Sequence, residues 1–95
     1  MSYQITSMIS FYEVLNNLGE RQLEVLKAIK KLQPCNNLQI SKFLSLPINS
    51  VTPRCLELRT KGIVRLHHTG ACPVTGRSSR FYSIKDNLNQ VLVKQ

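Results

Sequence analysis

The sequence predicts an α+β fold in which three helices precede a two-stranded β-hairpin. Three observations predict it. Apolar residues recur at helical spacing through residues 20–32, 38–44 and 49–61. After Gly62 the periodicity changes to strand-like runs at residues 63–67 and 80–84. The chain has 95 residues, 42% of them hydrophobic, which suits one domain with one modest core.

The elements follow in order. Residues 5–18 carry Ile5, Met8, Ile9, Phe11, Tyr12, Leu15 and Leu18 near helical spacing, with Ser7 or Ser10 as cap and Gly19 as stop. In residues 20–32, Leu23, Leu26, Ile29 and Leu32 fall three apart and Val25 widens the stripe. Glu20 and Glu24 lie in the early turns and Lys27, Lys30 and Lys31 near the end, complementing the helix dipole, and Pro34 ends the pattern. Asn37 is the expected cap of a short helix over 38–44, with Ile40, Phe43 and Leu44 inward. After a tight linker at 45–48, Asn49 or Ser50 caps a third helix running to about Lys61. That cap puts Pro53 in the first turn, where its missing N–H costs nothing. Val51, Cys55 and Leu58 form the inward face, and Gly62 stops the helix.

Between the two strands, residues 68–79 are rich in Gly, Pro, Thr and Ser and read as a long polar loop. Residues 86–95 read as a short helix capped by Asp86, with Leu88, Val91 and Leu92 inward, or equally as a frayed tail. The expected organisation is a single domain over 1–95, with a core at 20–84 and extra helical segments at 5–18 and 86–95.

Charge narrows the function. Thirteen Lys and Arg oppose five acidic residues, for a net charge of +8. The excess is concentrated beyond residue 57, where Arg59, Lys61, Arg65, Arg77, Arg80, Lys85 and Lys94 face only Asp86. A basic field confined to one region suits a polyanionic partner, because each phosphate contact releases a condensed counterion.

Other classes find little support. One Asp, no glycine-rich phosphate loop and no paired carboxylates at useful spacing argue against an enzyme. His67, His68 and Cys72 are close in sequence, but adjacent strand residues point to opposite faces and Cys55 is claimed by the core, so no metal site is expected. Cys35, Cys55 and Cys72 show no CxxC spacing and read as free thiols. No cofactor or small-molecule ligand is indicated. No apolar run reaches the roughly 20 residues of a membrane span, and the first ten residues lack a signal-peptide pattern. A cytoplasmic location is therefore expected, nucleoid-associated if the host is bacterial or phage.

The order of helix, short helix, tight turn, capped helix, Gly and strand pair resembles the winged helix-turn-helix superfamily over residues 20–84. Residues 50–64 (Ser-Val-Thr-Pro-Arg-Cys-Leu-Glu-Leu-Arg-Thr-Lys-Gly-Ile-Val) are similar to the recognition helix and first wing strand of MarR-like and small phage-type regulators. Residues 75–82 (Thr-Gly-Arg-Ser-Ser-Arg-Phe-Tyr) resemble a returning wing strand. The resemblance implies double-stranded DNA binding by a small transcriptional regulator of phage, viral or mobile-element type. Its helix 49–61 would enter the major groove, and its wing 65–80 would lie on the backbone or in the minor groove.

With Val51, Cys55 and Leu58 inward, Ser50, Pro53, Arg54 and Glu57 are expected outward. Arg54 is the first candidate for reading guanine, with a salt bridge or phosphate contact as its alternative. Glu57 could accept from cytosine, and Asn49, Ser50 and Thr52 are caps or phosphate ligands. Arg59, Lys61, Arg65, Arg77 and Arg80 supply the basic surface, with Ser78 and Ser79 in support. Arg77 is the leading wing residue. Two chains could pair through 5–18 or 86–95. Two rival readings remain: a winged-helix adaptor for proteins, which predicts a neutral recognition helix with exposed apolar residues, and a replication or recombination factor. In the latter, Phe81 and Tyr82 are the candidates for stacking on bases, although strand alternation should bury one of them.

Overall fold

A computed structural model describes residues 15–85. Most of the helical segment expected at 5–18, and all of that at 86–95, lie outside the described residues. The described elements are α1 (Glu20–Leu32), α2 (Asn37–Leu44), α3 (Ile48–Thr60), β1 (Val64–Ala71) and β2 (Ser78–Ile84). The three helices pack on one another, and the base of the antiparallel hairpin closes the core against α1 and α3.

Each helix buries one stripe. Val25, Leu26, Ala28 and Ile29 of α1, Ile40 of α2 and Val51, Cys55 and Leu58 of α3 meet Ile63, Val64, Tyr82 and Ile84 in a single cluster. Leu23 and Leu32 are only half-buried. Phe43, expected inward, is 50% exposed. With Ile40 and Ser41 facing the core, Phe43 lies roughly 160° round the helix from Ser41.

Helix ends account for two further corrections. The cap of α2 is Asn36, one residue before the expected Asn37. Its Oδ1 accepts from the Gln39 backbone N–H at 2.8 Å, while Gln39 Oε1 accepts from the Asn36 N–H at 2.9 Å. This reciprocal box satisfies two donors that a helix start leaves open. Helix α3 begins at Ile48 behind Pro47, earlier than a cap at Asn49 or Ser50 would place it. Pro53 therefore falls in the second turn, where its absent N–H leaves the Asn49 carbonyl without its helical donor. At the far end Gly62 (φ 79°) ends α3 in a Schellman arrangement. Gly62 N–H donates to the Arg59 carbonyl and Ile63 N–H to that of Leu58, both at 3.0 Å.

The hairpin is longer than its composition suggested. Thr69, Gly70 and Ala71 pair with Arg80, Ser79 and Ser78, so the expected loop at 68–79 shrinks to a turn closed by Cys72 and Arg77. Backbone pairing supports this ladder without an apolar face, which is why the alternation read from sequence stops too early. Its second strand is also more enclosed than expected: Phe81, Tyr82, Ser83 and Ile84 are all buried. Tyr82 exchanges backbone hydrogen bonds with Cys35 (3.0 and 2.7 Å), adding a single bridge beside β2. Phe81 stacks on His68 at 4.7 Å.

Candidate nucleic-acid interface

The side chains of α3 divide into four strips, set by the roughly 100° advance per residue. Val51, Cys55 and Leu58 point inward, as expected. The opposite strip, open to solvent, consists of Asn49, Thr52, Pro53, Leu56 and Thr60. One flank, with Ser50, Arg54 and Glu57, faces the start of α1. The other, with Ile48, Thr52 and Arg59, faces the hairpin.

The first flank corrects the expected orientation of Arg54 and Glu57. Both are half-buried beside a hollow of about 380 Å³ lined by Gly19, Gln22, Arg54 and Glu57. Arg54 donates from Nε to Glu57 Oε1 at 2.8 Å and from Nη2 to Oε2 at 2.9 Å. Gln22 Nε2 donates to Glu57 Oε1 at 2.7 Å, and Gln22 Oε1 accepts from the Gly19 N–H at 3.0 Å. The Gln22 bond, then the Arg54 bonds, hold the Glu57 carboxyl below its ordinary value. The salt-bridge alternative for Arg54 is thus the arrangement observed. Gln22, which the sequence did not single out, is the residue that ties it to α1.

On the other flank a groove of about 330 Å³ runs between the start of α2, the start of α3 and strand β2. Asn37, Leu38, Ile48, Thr52, Ser79, Arg80 and Tyr82 line it. Asn37 Nδ2 reaches Thr52 Oγ1 at 3.4 Å, and Asn37 Oδ1 is buried without a hydrogen-bond partner. This groove joins Thr52, Ser79 and Arg80 from the expected set and adds Asn37, Leu38 and Ile48. Distance in sequence concealed that juxtaposition.

The remaining basic residues separate into two kinds. Lys61, Arg77 and Arg80 are exposed, and so is Ser78. Arg59 is half-buried with its guanidinium 5.1 Å from the centre of the Tyr82 ring, which anchors it to the hairpin. Arg65 is half-buried too, and its Nη1 donates to the Leu66 carbonyl at 3.5 Å. Phe81 and Tyr82 offer no stacking platform, since neither is exposed.

The wing holds two local surprises. His67 is an extra residue in β1, between Leu66 (opposite Tyr82) and His68 (opposite Phe81). The bulge cancels the strand alternation, and the two histidine Nδ1 atoms lie 2.7 Å apart. No group of three metal-ligating side chains gathers there or elsewhere among the described residues. At the tip, Cys72 Sγ accepts from Asn36 Nδ2 at 3.1 Å. Donors from Thr75, then Val74 and Asn36, lower the Cys72 thiol to about 7. Burial instead pushes Cys35 and Cys55 up to about 12, and all three are free thiols.

No protein-family model and no curated protein sequence matches the chain. Solved structures do. It is similar to a MarR family regulator from Neisseria meningitidis with TM-score 0.62 and 17% identity, over 95% of this chain and 61% of that one. Another MarR family transcription regulator gives TM-score 0.62 at 15% identity, over 94% of this chain and 56% of that one. The transcriptional regulator PA4135 gives TM-score 0.60 at 20% identity, over 94% and 65%. The chain thus spans less than two thirds of the length of each. Identities this low speak for architecture alone, and three helices, a tight turn and a two-stranded wing agree with it: the chain is a winged-helix domain with the fold of MarR family regulators.

Proposed function

We propose that the chain binds double-stranded DNA without catalysis, as a small sequence-specific transcriptional regulator of phage, viral or mobile-element type. One observation carries this reading. The solvent strip of α3, beginning at Asn49, lies beside a groove whose far wall is Arg80 and Ser79 of the wing, with Arg77 exposed at the wing tip. A recognition helix in the major groove needs its N-terminal, outward residues free, and a wing beside it needs unpaired cations for phosphates. Asn49, Thr52 and Pro53 meet the first need and Arg77 and Arg80 the second, with Lys61 at the end of α3 adding charge and Ser78 a hydroxyl. Arg59, over the Tyr82 ring, borders the same groove, Arg65 adds charge on β1, and Ser50 lies on the flank toward α1. Arg54 and Glu57 contribute by fixing α3 against α1. The proposal extends to pairing of two chains through 5–18 or 86–95 for two half-sites, and to a cytoplasmic or nucleoid location.

The test is a fluorescence-anisotropy titration of mixed-sequence duplex DNA at low and moderate salt. Binding should weaken steeply with salt, and Arg77→Ala and Arg80→Ala should each reduce the slope of log K against log salt by about 0.9 per lost phosphate contact. Absence of duplex binding at low salt would refute the reading. The adaptor alternative would then lead, since Ile48 and Leu56 leave the solvent side of α3 neutral and partly apolar at 43% and 58% exposure.

A further inference from the structure

The outward strip of α3 also carries information about which bases it suits. Among the described residues, that strip holds no charged side chain: it is Asn49, Thr52, Pro53, Leu56 and Thr60. Leu56, at 58% exposure, is more open than any other large apolar residue described. The one arginine in the N-terminal half of the helix, Arg54, lies about 140° round from Asn49, on the flank against α1. Its Nε–Nη2 edge is spent on the Glu57 carboxylate at 2.8 and 2.9 Å, and Gln22 pins that carboxylate in place. Guanine is read chiefly by a free arginine or lysine fork on O6 and N7. Adenine is read by an asparagine amide on N6 and N7, and thymine by apolar contact with its C5 methyl.

We infer that α3 reads an A·T-rich major groove, with Asn49 pairing to adenine and Thr52 and Leu56 packing on thymine methyl groups. This rests on the DNA-binding reading and specifies its substrate. Asn49 is the second residue of α3, at the end of a recognition helix that penetrates the groove. Thr52 and Leu56 follow at one-turn intervals on the same side. Leu56 presents an apolar surface, and a row of thymine methyl groups is the apolar surface that the major groove offers to match it.

A preference for A·T pairs could also arise from wing arginines in a narrow minor groove, so the test isolates the major-groove methyl. Random duplexes are first selected for binding to the full chain and sequenced. The best duplex is then remade with uracil in place of thymine, which removes the methyl and leaves the minor groove unaltered. Selection should return A·T-rich cores, and the uracil duplex should bind several-fold more weakly to wild type. Leu56→Ser should reduce that difference, and Leu56→Ser combined with Thr52→Ser should abolish it. Asn49→Ala should cut discrimination for adenine by about tenfold, whereas Arg54→Ala, which loosens the tie of α3 to α1, should weaken all duplexes alike and still select A·T-rich cores. Guanine-rich selections that depend on Arg54, or equal binding of the thymine and uracil duplexes, would overturn the inference while leaving DNA binding intact. Failure of every duplex to bind at low salt would instead remove the reading beneath it.

Discussion

Asn36 is the residue whose replacement tests the most at once. It is almost fully buried, at 1% exposure. Its Oδ1 caps α2 through the Gln39 N–H at 2.8 Å, and its Nδ2 holds the wing tip through Cys72 Sγ at 3.1 Å. Alanine removes both. Loss of an asparagine cap costs about 1 kcal/mol. Leaving the sulfur with only its Thr75 and Val74 donors costs about 0.5–1 kcal/mol more. The sum, about 1.5–2 kcal/mol, corresponds to a fall in Tm of roughly 6–16 °C for a domain this small. Asn36→Ser keeps an oxygen able to cap while removing the amide, so it should lose only the second part. Thermal and urea denaturation followed by circular dichroism would measure both variants beside wild type. If serine proved as damaging as alanine, the division between cap and wing contact would be wrong. If alanine cost less than about 0.5 kcal/mol, a level typical of inert surface sites, neither bond would matter.

Two further outcomes are expected. Leu58 is fully buried where α3 meets the core, so Leu58→Ala should cost about 2–5 kcal/mol by urea denaturation, with Leu56→Ala near zero as its surface control. Cys72, lowered from the ordinary 9.0 to about 7, should show a thiolate absorbance midpoint near 7 that Cys72→Ser removes. Because the folded value is the lower one, the native state binds fewer protons between about 7 and 9.0, and stability rises with pH through that interval. The advantage of wild type over Cys72→Ser should therefore be full above 9.0 and lost as pH falls through about 7. A gap that widens in acid would contradict the hydrogen-bond cause.

Much of this was legible along the chain. The inward triplet Val51, Cys55 and Leu58 follows from helical spacing alone, and Gly62 as the stop follows from its tolerance of positive φ. The change of period after Gly62 announced the hairpin. The errors cluster where local signals compete. Asn36 and Asn37 are both good caps, and only Asn36 has Gln39 three residues on to close the box. Phe43 reads as core by hydrophobicity, yet the inward side of α2 is centred between Ile40 and Ser41, which leaves Phe43 beyond its edge. The polar outer half of the hairpin shows no alternation because both of its faces are largely open, so backbone pairing there leaves no mark on composition.

What the sequence determined by itself is the architecture and the sign of the charge. Periodicity, glycine stops and a basic second half are local properties, written in the order of the residues. What only the tertiary structure decided is which polar side chains remain free for a partner. Gln22 and Glu57 are 35 residues apart, and Asn36 and Cys72 are 36 apart. Packing α1 against α3 brings the first pair together and so occupies Arg54. Folding the wing tip toward the start of α2 joins the second. A side chain's availability depends on the partner nearest to it in space, and sequence order does not encode that distance.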